Sequence, residues 1–281
     1  MNLQLFKTLW GHQGPLSMAI EKAVSDGFDG IEGQSPVTAD ARAEFGRALK
    51  EANLAYIAEI TTAGTYVPDD GATLETHLLT FQRQAEAAME VDPLFLTVIG
   101  GCDAWPVAQS VEFFGSAMAM AGGLGITVSF ETHRSRSFFN PWITRDILLQ
   151  LPELKLTCDF SHWCVVAERL VMNTEPEILA LCAERAHHVH ARVGYDQGPQ
   201  VPHPAAPEYR DALEAHDRWW SILWDAQARR SCPSITMTPE FGPDGYLHTL
   251  PFTQSPVADL DAVNGWMAQH QRENFAKHFP A

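Results

Sequence analysis

Acidic and imidazole side chains follow four consecutive apolar stretches in the second half of the chain. They are Glu131, Asp159, His190 and Glu240, in the predicted strands Ile126–Glu131, Leu156–Asp159, His187–Arg192 and Ile235–Glu240. Three carboxylates crowded together without a cation would repel one another, and some would stay protonated. A divalent ion removes that conflict. Three oxygens and one nitrogen suit Mn²⁺, Mg²⁺ or Co²⁺ better than the thiolate-rich sites of structural zinc, and we expect Mn²⁺ first.

Strand-like and helix-like stretches alternate along the whole chain, which brings these residues to one place. Eight units, each a β-rich run followed by an amphipathic helix, extend from Leu3 to His278. This alternation predicts parallel strands joined by crossover helices. Eight units in 281 residues favour one (β/α)₈ barrel, a TIM barrel, as a single domain over residues 1–281. An open doubly wound sheet is the alternative, but Trp10–Gly14 lacks its phosphate-binding glycine spacing.

Further imidazole and cationic groups follow the same strand ends. His133 lies two residues after Glu131, His162 three residues after Asp159, and Arg192 two after His190. Catalytic groups of such barrels come from the C-terminal ends of the strands, so these side chains are candidates for a site at that rim. His133 could instead hydrogen-bond a loop, and Arg192 could be a structural ion-pair partner.

Other residues near the strand ends have simpler expected roles. The two-residue period of a strand turns His188 to the side of His190 and turns His187 away. We expect Glu32, near the end of the second strand, to hydrogen-bond a neighbouring loop, with contact to the substrate as the alternative. Trp10, Trp105 and Trp163 follow strand ends, where they either stack on the substrate or pack in the core or a loop.

The motifs at these strand ends resemble those of the xylose isomerase-like TIM barrel superfamily. They are Glu131–His133, Asp159–Trp163, His188–His190 and Pro239–Pro243. The alternation of strands and helices resembles this superfamily along the whole chain, whereas the specific motifs lie in the second half of the sequence. The superfamily includes sugar isomerases and epimerases, dehydroshikimate dehydratases and endonuclease IV. The resemblance implies that Glu131, Asp159, His190 and Glu240 bind the metal and that His162 binds a substrate oxygen.

The resemblance also implies a reaction class. It implies a divalent-metal-dependent isomerase or epimerase that removes a proton next to the carbonyl group of a sugar or keto-sugar, through a metal-stabilised enediolate. Glu131 and Glu240 would take and return the proton. The alternative is a metal-dependent lyase or dehydratase acting on a keto-sugar, keto-glycoside or cyclic ketone, with His133 as the base.

Three branches of the superfamily differ in their fit to this sequence. Ketose 3-epimerases carry another Glu six residues after the fifth-strand ligand and an Arg six residues after the seventh-strand His, where this chain has Ser137 and Asp196. Dehydroshikimate dehydratases have a His and a cation at the spacings of His133 and Arg192. The endonuclease branch needs histidines at the ends of strands three and four, and those predicted strand ends have none.

Composition limits the partners. A formal net charge of −16 and the lack of a Lys/Arg cluster argue against nucleic acid, whose binding requires a basic face. No apolar run is long enough for a membrane span, and the first residues do not resemble a signal peptide, so we expect a cytoplasmic protein. The expected partner is a small sugar-like molecule. Tyr195–Glu208 could cover the site as a lid, and Tyr246–Pro256 could cover the rim or form a homodimer contact.

Overall fold

Eight strands form the centre of the molecule. The computed structural model describes residues 1–243 and 245–280. Within them the strands close into one parallel barrel, in which each strand pairs with the next and the last pairs with the first. They are β1 Asn2–Thr8, β2 Gly30–Gln34, β3 Ala55–Thr61, β4 Leu96–Ile99, β5 Val128–Glu131, β6 Lys155–Cys158, β7 Ala186–His190 and β8 Ser234–Thr238. The expected (β/α)₈ barrel is confirmed, and the open sheet is wrong.

Helices follow the strands and pack around the barrel. They are α1 Leu16–Ser25, α2 Ala39–Glu51, α3 Leu74–Met89, α4 Val107–Gly123, α5 Pro141–Leu148, α6 Ser161–Val166, α7 Pro176–Arg185, α8 Arg210–Arg229 and α9 Leu260–His278. Side-chain caps fix several starts: Asn140 accepts the N–H of Ile143, and Asp259 accepts that of Ala262. The short helix α6, which begins directly after β6, was not predicted from the sequence.

Alternate residues of each strand point into the barrel and fill it in layers. Phe6, Ile57 and Phe95 form an apolar cluster there, apart from the main core between the strands and helices. Thr157 bonds through its hydroxyl to Thr97 and to Ser129, at 2.7 Å in both cases. Because side chains alternate, the next inward residues of β5 and β6 reach the C-terminal rim, where the predicted metal ligands lie.

Two further features of the structure concern membrane-spanning helices and cysteines. No helix in residues 1–243 or 245–280 combines the length and apolar character needed to cross a lipid bilayer. All five cysteines lie within these ranges and are free, with three of them buried.

Candidate metal centre

The ends of β5, β6, β7 and β8 bring the four predicted ligands together. One donor atom from each of Glu131, Asp159, His190 and Glu240 lies within 4.8 Å of the others. All four residues are buried. Neighbouring parallel strands end at the same rim, and so residues far apart in sequence can meet there.

The charges of this cluster are unbalanced. Burial raises the pKa of Glu131 to about 7. Burial lowers the pKa of His190, but Glu240, Glu32 and Glu131 outweigh that effect and hold it well above its ordinary value. Without a metal, Glu131 and His190 therefore hold protons that partly neutralise the buried carboxylates. A divalent cation would replace those protons.

Two unpartnered atoms support the same conclusion. Within the described residues, Glu131 Oε2 and His190 Nδ1 are buried and have no hydrogen-bond partner. Nδ1 of His190 lies 3.0 Å from Oε2 of Glu240, but the approach is too oblique for a hydrogen bond. Carboxylate oxygens and an imidazole nitrogen with free lone pairs are what a divalent metal requires, so the residues present fit a metal ion.

Glu32 holds the other side of His190. Its Oε1 lies 2.9 Å from Nε2 of His190, and its Oε2 lies 3.1 Å from Nε2 of His188 and accepts the hydroxyl of Thr238. The expectation that Glu32 bonds a neighbouring loop is therefore wrong. A carboxylate on Nε2 places the proton there and leaves Nδ1 as the metal-binding atom.

Replacing Glu32 with Gln is expected to weaken metal binding by about 10- to 100-fold, because His190 loses the charge that orients its ring. Calorimetric titration of the metal-free protein with Mn²⁺ measures this. The matched control is Thr238→Val, which removes one hydrogen bond to Glu32 but keeps the carboxylate, and which we expect to change affinity only a few-fold. Wild-type affinity in the Glu32→Gln variant would contradict the role of Glu32.

Arg192 lies between the ligands and two aromatic rings. Its Nη2 forms an ion pair with Asp159 and lies 2.7 Å from Nε2 of His162. Its guanidinium carbon lies 4.8 Å from the ring centre of Tyr246 and 5.3 Å from that of Trp10. Arg192 is therefore an ion-pair partner of Asp159 and also a cation in the wall of the site.

A cavity of about 40 Å³ opens above the ligands. Its wall is formed by Trp10, Glu59, Tyr66, Ile99, Glu131, His133, Arg192, Glu240 and Tyr246. The rings of Trp10 and Tyr246 meet edge to face, with centres 4.8 Å apart. A space of this size holds little more than water, so a sugar-sized molecule could enter only if these rings moved.

Comparisons with known proteins identify the fold. No protein-family model and no curated protein matches this sequence. Among solved structures, the D-allulose 3-epimerase from Methylomonas sp. in complex with D-allulose is 15% identical, with 97% of each chain covered and a TM-score of 0.64. The IolI protein with a bound zinc atom is 13% identical, with both chains fully covered and a TM-score of 0.67. The chain has the xylose isomerase-like TIM barrel fold.

A third solved structure with this fold is the probable 3-DHS dehydratase AsbF from Bacillus anthracis. It is 11% identical, with 97% of this chain and 99% of that chain covered and a TM-score of 0.58. At such identities the likeness establishes the xylose isomerase-like fold alone. Roles for individual residues rest on the geometry of this chain.

His133 and His162 lie side by side at the rim of the xylose isomerase-like barrel. Their ring centres are 4.0 Å apart, and both residues are buried. Burial lowers the pKa of both well below the ordinary histidine value, and Arg192 adds to this effect. Both imidazoles are therefore neutral near pH 7. His133 donates through Nδ1 to the carbonyl of Arg134 and keeps Nε2 as an acceptor, whereas Nε2 of His162 already accepts from Arg192 and leaves Nδ1–H as a donor.

The positions that distinguish ketose 3-epimerases lie away from the cavity. Ser137 bonds to the hydroxyl of Ser110 at 2.8 Å, and Asp196 is exposed in the segment after β7. That segment is attached to the rim, because Gln200 forms two hydrogen bonds to the backbone of Gly242. In the segment after β8, Tyr246 contacts the site and Phe252 is fully exposed.

Sequence reasoning missed part of the wall. Glu59 and Tyr66 line the cavity but had no predicted role, and burial, followed by the charges of neighbouring carboxylates, raises the pKa of Glu59 to about 8. The inward position of Glu59, two residues after Ile57, was the available signal. Of the three tryptophans, Trp10 alone lines this cavity: Trp105 packs against His77, and Trp163 donates to a backbone carbonyl.

Proposed function

We propose that this protein is a divalent-metal-dependent isomerase or epimerase that moves a proton next to the carbonyl group of a sugar or keto-sugar. The observation that carries the proposal is the buried cluster of Glu131, Asp159, His190 and Glu240, with Glu32 behind His190. A solved epimerase with the same fold supports the reaction class. Mn²⁺ is the first candidate metal, with Mg²⁺ and Co²⁺ as alternatives. A cytoplasmic location and a homodimer remain predictions.

The reaction would divide the work between the metal and the side chains. When bound, a divalent ion supplies Lewis acidity that polarises a substrate carbonyl and stabilises the charge formed when the neighbouring proton leaves. Glu131 and Glu240 both line the cavity, so a carboxylate oxygen of one can take the proton and the other can return it. Arg192 and His162 would hold substrate oxygens, and the rings of Trp10 and Tyr246 exclude water.

The direct test is the metal content of the purified protein, followed by solvent deuterium uptake into a panel of keto-sugars. We expect about one Mn²⁺, Co²⁺ or Mg²⁺ per chain, with deuterium entering a carbon next to the carbonyl of at least one sugar. The same sample stripped of metal is the control: exchange should stop, and it should return when Mn²⁺ is added. A protein that neither retains metal nor binds it on titration would contradict the proposal.

One observation favours the lyase as a second candidate. His133 lines the cavity together with Arg192, whereas Ser137 and Asp196 do not. A neutral imidazole at His133 could remove the proton while a β-hydroxyl or glycosyl oxygen leaves. The dehydratase structure with the same fold supports the lyase to the same extent as the epimerase structure supports the isomerase or epimerase.

Replacing His133 with Asn separates the two reactions. If the two glutamates move the proton, we expect metal binding to persist and deuterium exchange to fall by about tenfold or less. A lyase that uses His133 as its base would lose about 10²- to 10⁴-fold, because a positioned base contributes that much. Exchange and product formation are measured separately, with His278→Asn, at the C-terminal end of α9, as the matched control.

A further inference from the structure

A second cavity opens at the other end of the barrel, where the strands begin. Its volume is about 520 Å³, within the range of small-molecule sites. The starts of β6, β7 and β8 form one side of its wall, and the C-terminal ends of α7 and α8 form the other. This cavity shares no lining residue with the one above the metal ligands.

The side chains that line this cavity, at the mouth of the barrel where the strands begin, are unusual for a barrel interior. Branched apolar residues normally fill the barrel. Here Gln4, Thr127, Lys155 and Ser234 line the opening, and Phe95 lies in its wall. Short or polar side chains at the strand starts therefore leave the barrel open at this end.

His187 belongs to the same wall. Its ring packs edge to face on Phe95, with centres 4.6 Å apart, although the two-residue period predicts that it points away. The pairing of β6 with β7 shifts register beside it, between Leu156 and Thr157, which accounts for the difference. Burial, with a contribution from Lys155, lowers the pKa of His187 to about 3, and so the ring is neutral near pH 7.

Three polar atoms of this wall lack hydrogen-bond partners among the described residues: Arg185 Nε, His187 Nε2 and Gln227 Oε1. Gln227 is 2% exposed, and its amide nitrogen already bonds to the carbonyls of Ala186 and His187. Buried polar atoms without partners are uncommon and call for an explanation. Within the described residues, unpartnered buried atoms also occur together in the metal cluster, at Glu131 Oε2 and His190 Nδ1, where a ligand explains them.

The charge of the mouth favours an anion. Lys155, Arg185 and Arg230 line it together with Glu153 and Glu184. Glu184 is already paired, because its Oε1 lies 2.9 Å from Nη2 of Arg229, outside the wall, and its Oε2 lies 4.0 Å from Nη1 of Arg230. Arg230 also donates to the carbonyls of Ala183 and Ala186, so Lys155 and Arg185 are the cations of this wall that can face a ligand. On a chain with a net charge of −16, a local excess of cations marks a site that attracts a small anion.

We propose that this cavity binds a small hydroxylated metabolite that carries a carboxylate or phosphate group. Arg185 and Lys155 contact the oxyanion, because guanidinium and ammonium groups form charge-assisted hydrogen bonds to it. Gln227, His187 and Ser234 offer donors and acceptors for the hydroxyl groups. The site is separate from the metal centre, and it stands whether or not the proposed reaction is correct.

Calorimetric titration of the metal-loaded protein tests this site with two probes, D-glycerate for the carboxylate and glycerol 3-phosphate for the phosphate. We expect at least one to bind, and Arg185→Gln to weaken its binding by about tenfold or more. Arg47→Gln removes the same charge from an exposed position on α2 and should leave the affinity within about twofold. Neither probe binding below roughly 10 mM would overturn the proposal. Binding that is lost in Arg192→Gln but kept in Arg185→Gln would overturn it too, because the probe would then lie at the metal centre.

His187→Phe gives a second, independent readout. The substitution keeps an aromatic ring against Phe95 and removes the unpartnered Nε2. We expect the unliganded variant to be at least as stable as the wild type in thermal unfolding and to bind the probe several-fold more weakly. A variant that is destabilised and yet binds the probe normally would show that Nε2 serves the fold rather than a ligand.

Discussion

Replacing Glu131 with Gln is expected to abolish metal binding and, as a result, to lower the rate of proton exchange by at least about 10³-fold. Glu131 supplies one of the four donors of the cluster, and its Oε2 has no hydrogen-bond partner in residues 1–243 and 245–280. In the metal-free protein the same change should leave stability unchanged or raise it, because it removes a buried carboxylate from a group of like charges. Metal titration, deuterium exchange and thermal unfolding with and without metal measure these effects.

The opposite signs of the two effects make the experiment decisive. A residue that served only the fold would lose stability when replaced, and its loss of activity would follow from unfolding. Glu44→Gln is the control, since it makes the same chemical change on the exposed face of α2. A Glu131→Gln protein that binds Mn²⁺ as tightly as the wild type would contradict the assignment of Glu131 as a ligand.

The four ligands could be predicted from the sequence because one rule connects them. Each lies at or just beyond the end of a strand, and parallel strands of a closed barrel end at one rim. The prediction therefore needed only the strand ends and the topology, both of which the sequence pattern supplies. The structure brings Glu131, Asp159, His190 and Glu240 together as that rule requires.

Glu32 could not be assigned in the same way. Its partners His188 and His190 lie more than 150 residues away, on a strand that is not a neighbour of β2. Contacts across the barrel interior depend on how far each side chain reaches past the rim, which strand patterns do not determine. Strand patterns also give no position for Tyr66 and Tyr246, because these residues reach the cavity from loops. The direction of His187 could not be predicted because it follows from a local shift of register between β6 and β7.

Replacing Arg192 with Met is expected to lower the unfolding free energy of the metal-free protein by about 3–5 kcal/mol, because it leaves Asp159 as a buried carboxylate without its partner. Burial raises the pKa of Asp159, and Arg192 opposes that effect, so the variant should protonate Asp159 more readily. A methionine keeps much of the packing between the rings of Trp10 and Tyr246. Denaturant unfolding of the metal-free protein measures the loss.

Added metal should restore much of that stability. A divalent ion can compensate Asp159 and its neighbouring carboxylates in place of the guanidinium, and without the positive charge of Arg192 the site should attract the ion more strongly. Because a ligand stabilises the folded state by RT ln(1 + [L]/Kd), the metal-induced rise in unfolding temperature should be larger in Arg192→Met than in the wild type. Arg192→Lys keeps the positive charge but loses the planar guanidinium. We expect its metal-induced rise in unfolding temperature to lie between those of the wild type and Arg192→Met. If Arg192→Met is as stable as the wild type without metal, or gains no more from metal, then Arg192 does not hold Asp159 and acts only as a cation in the wall of the site.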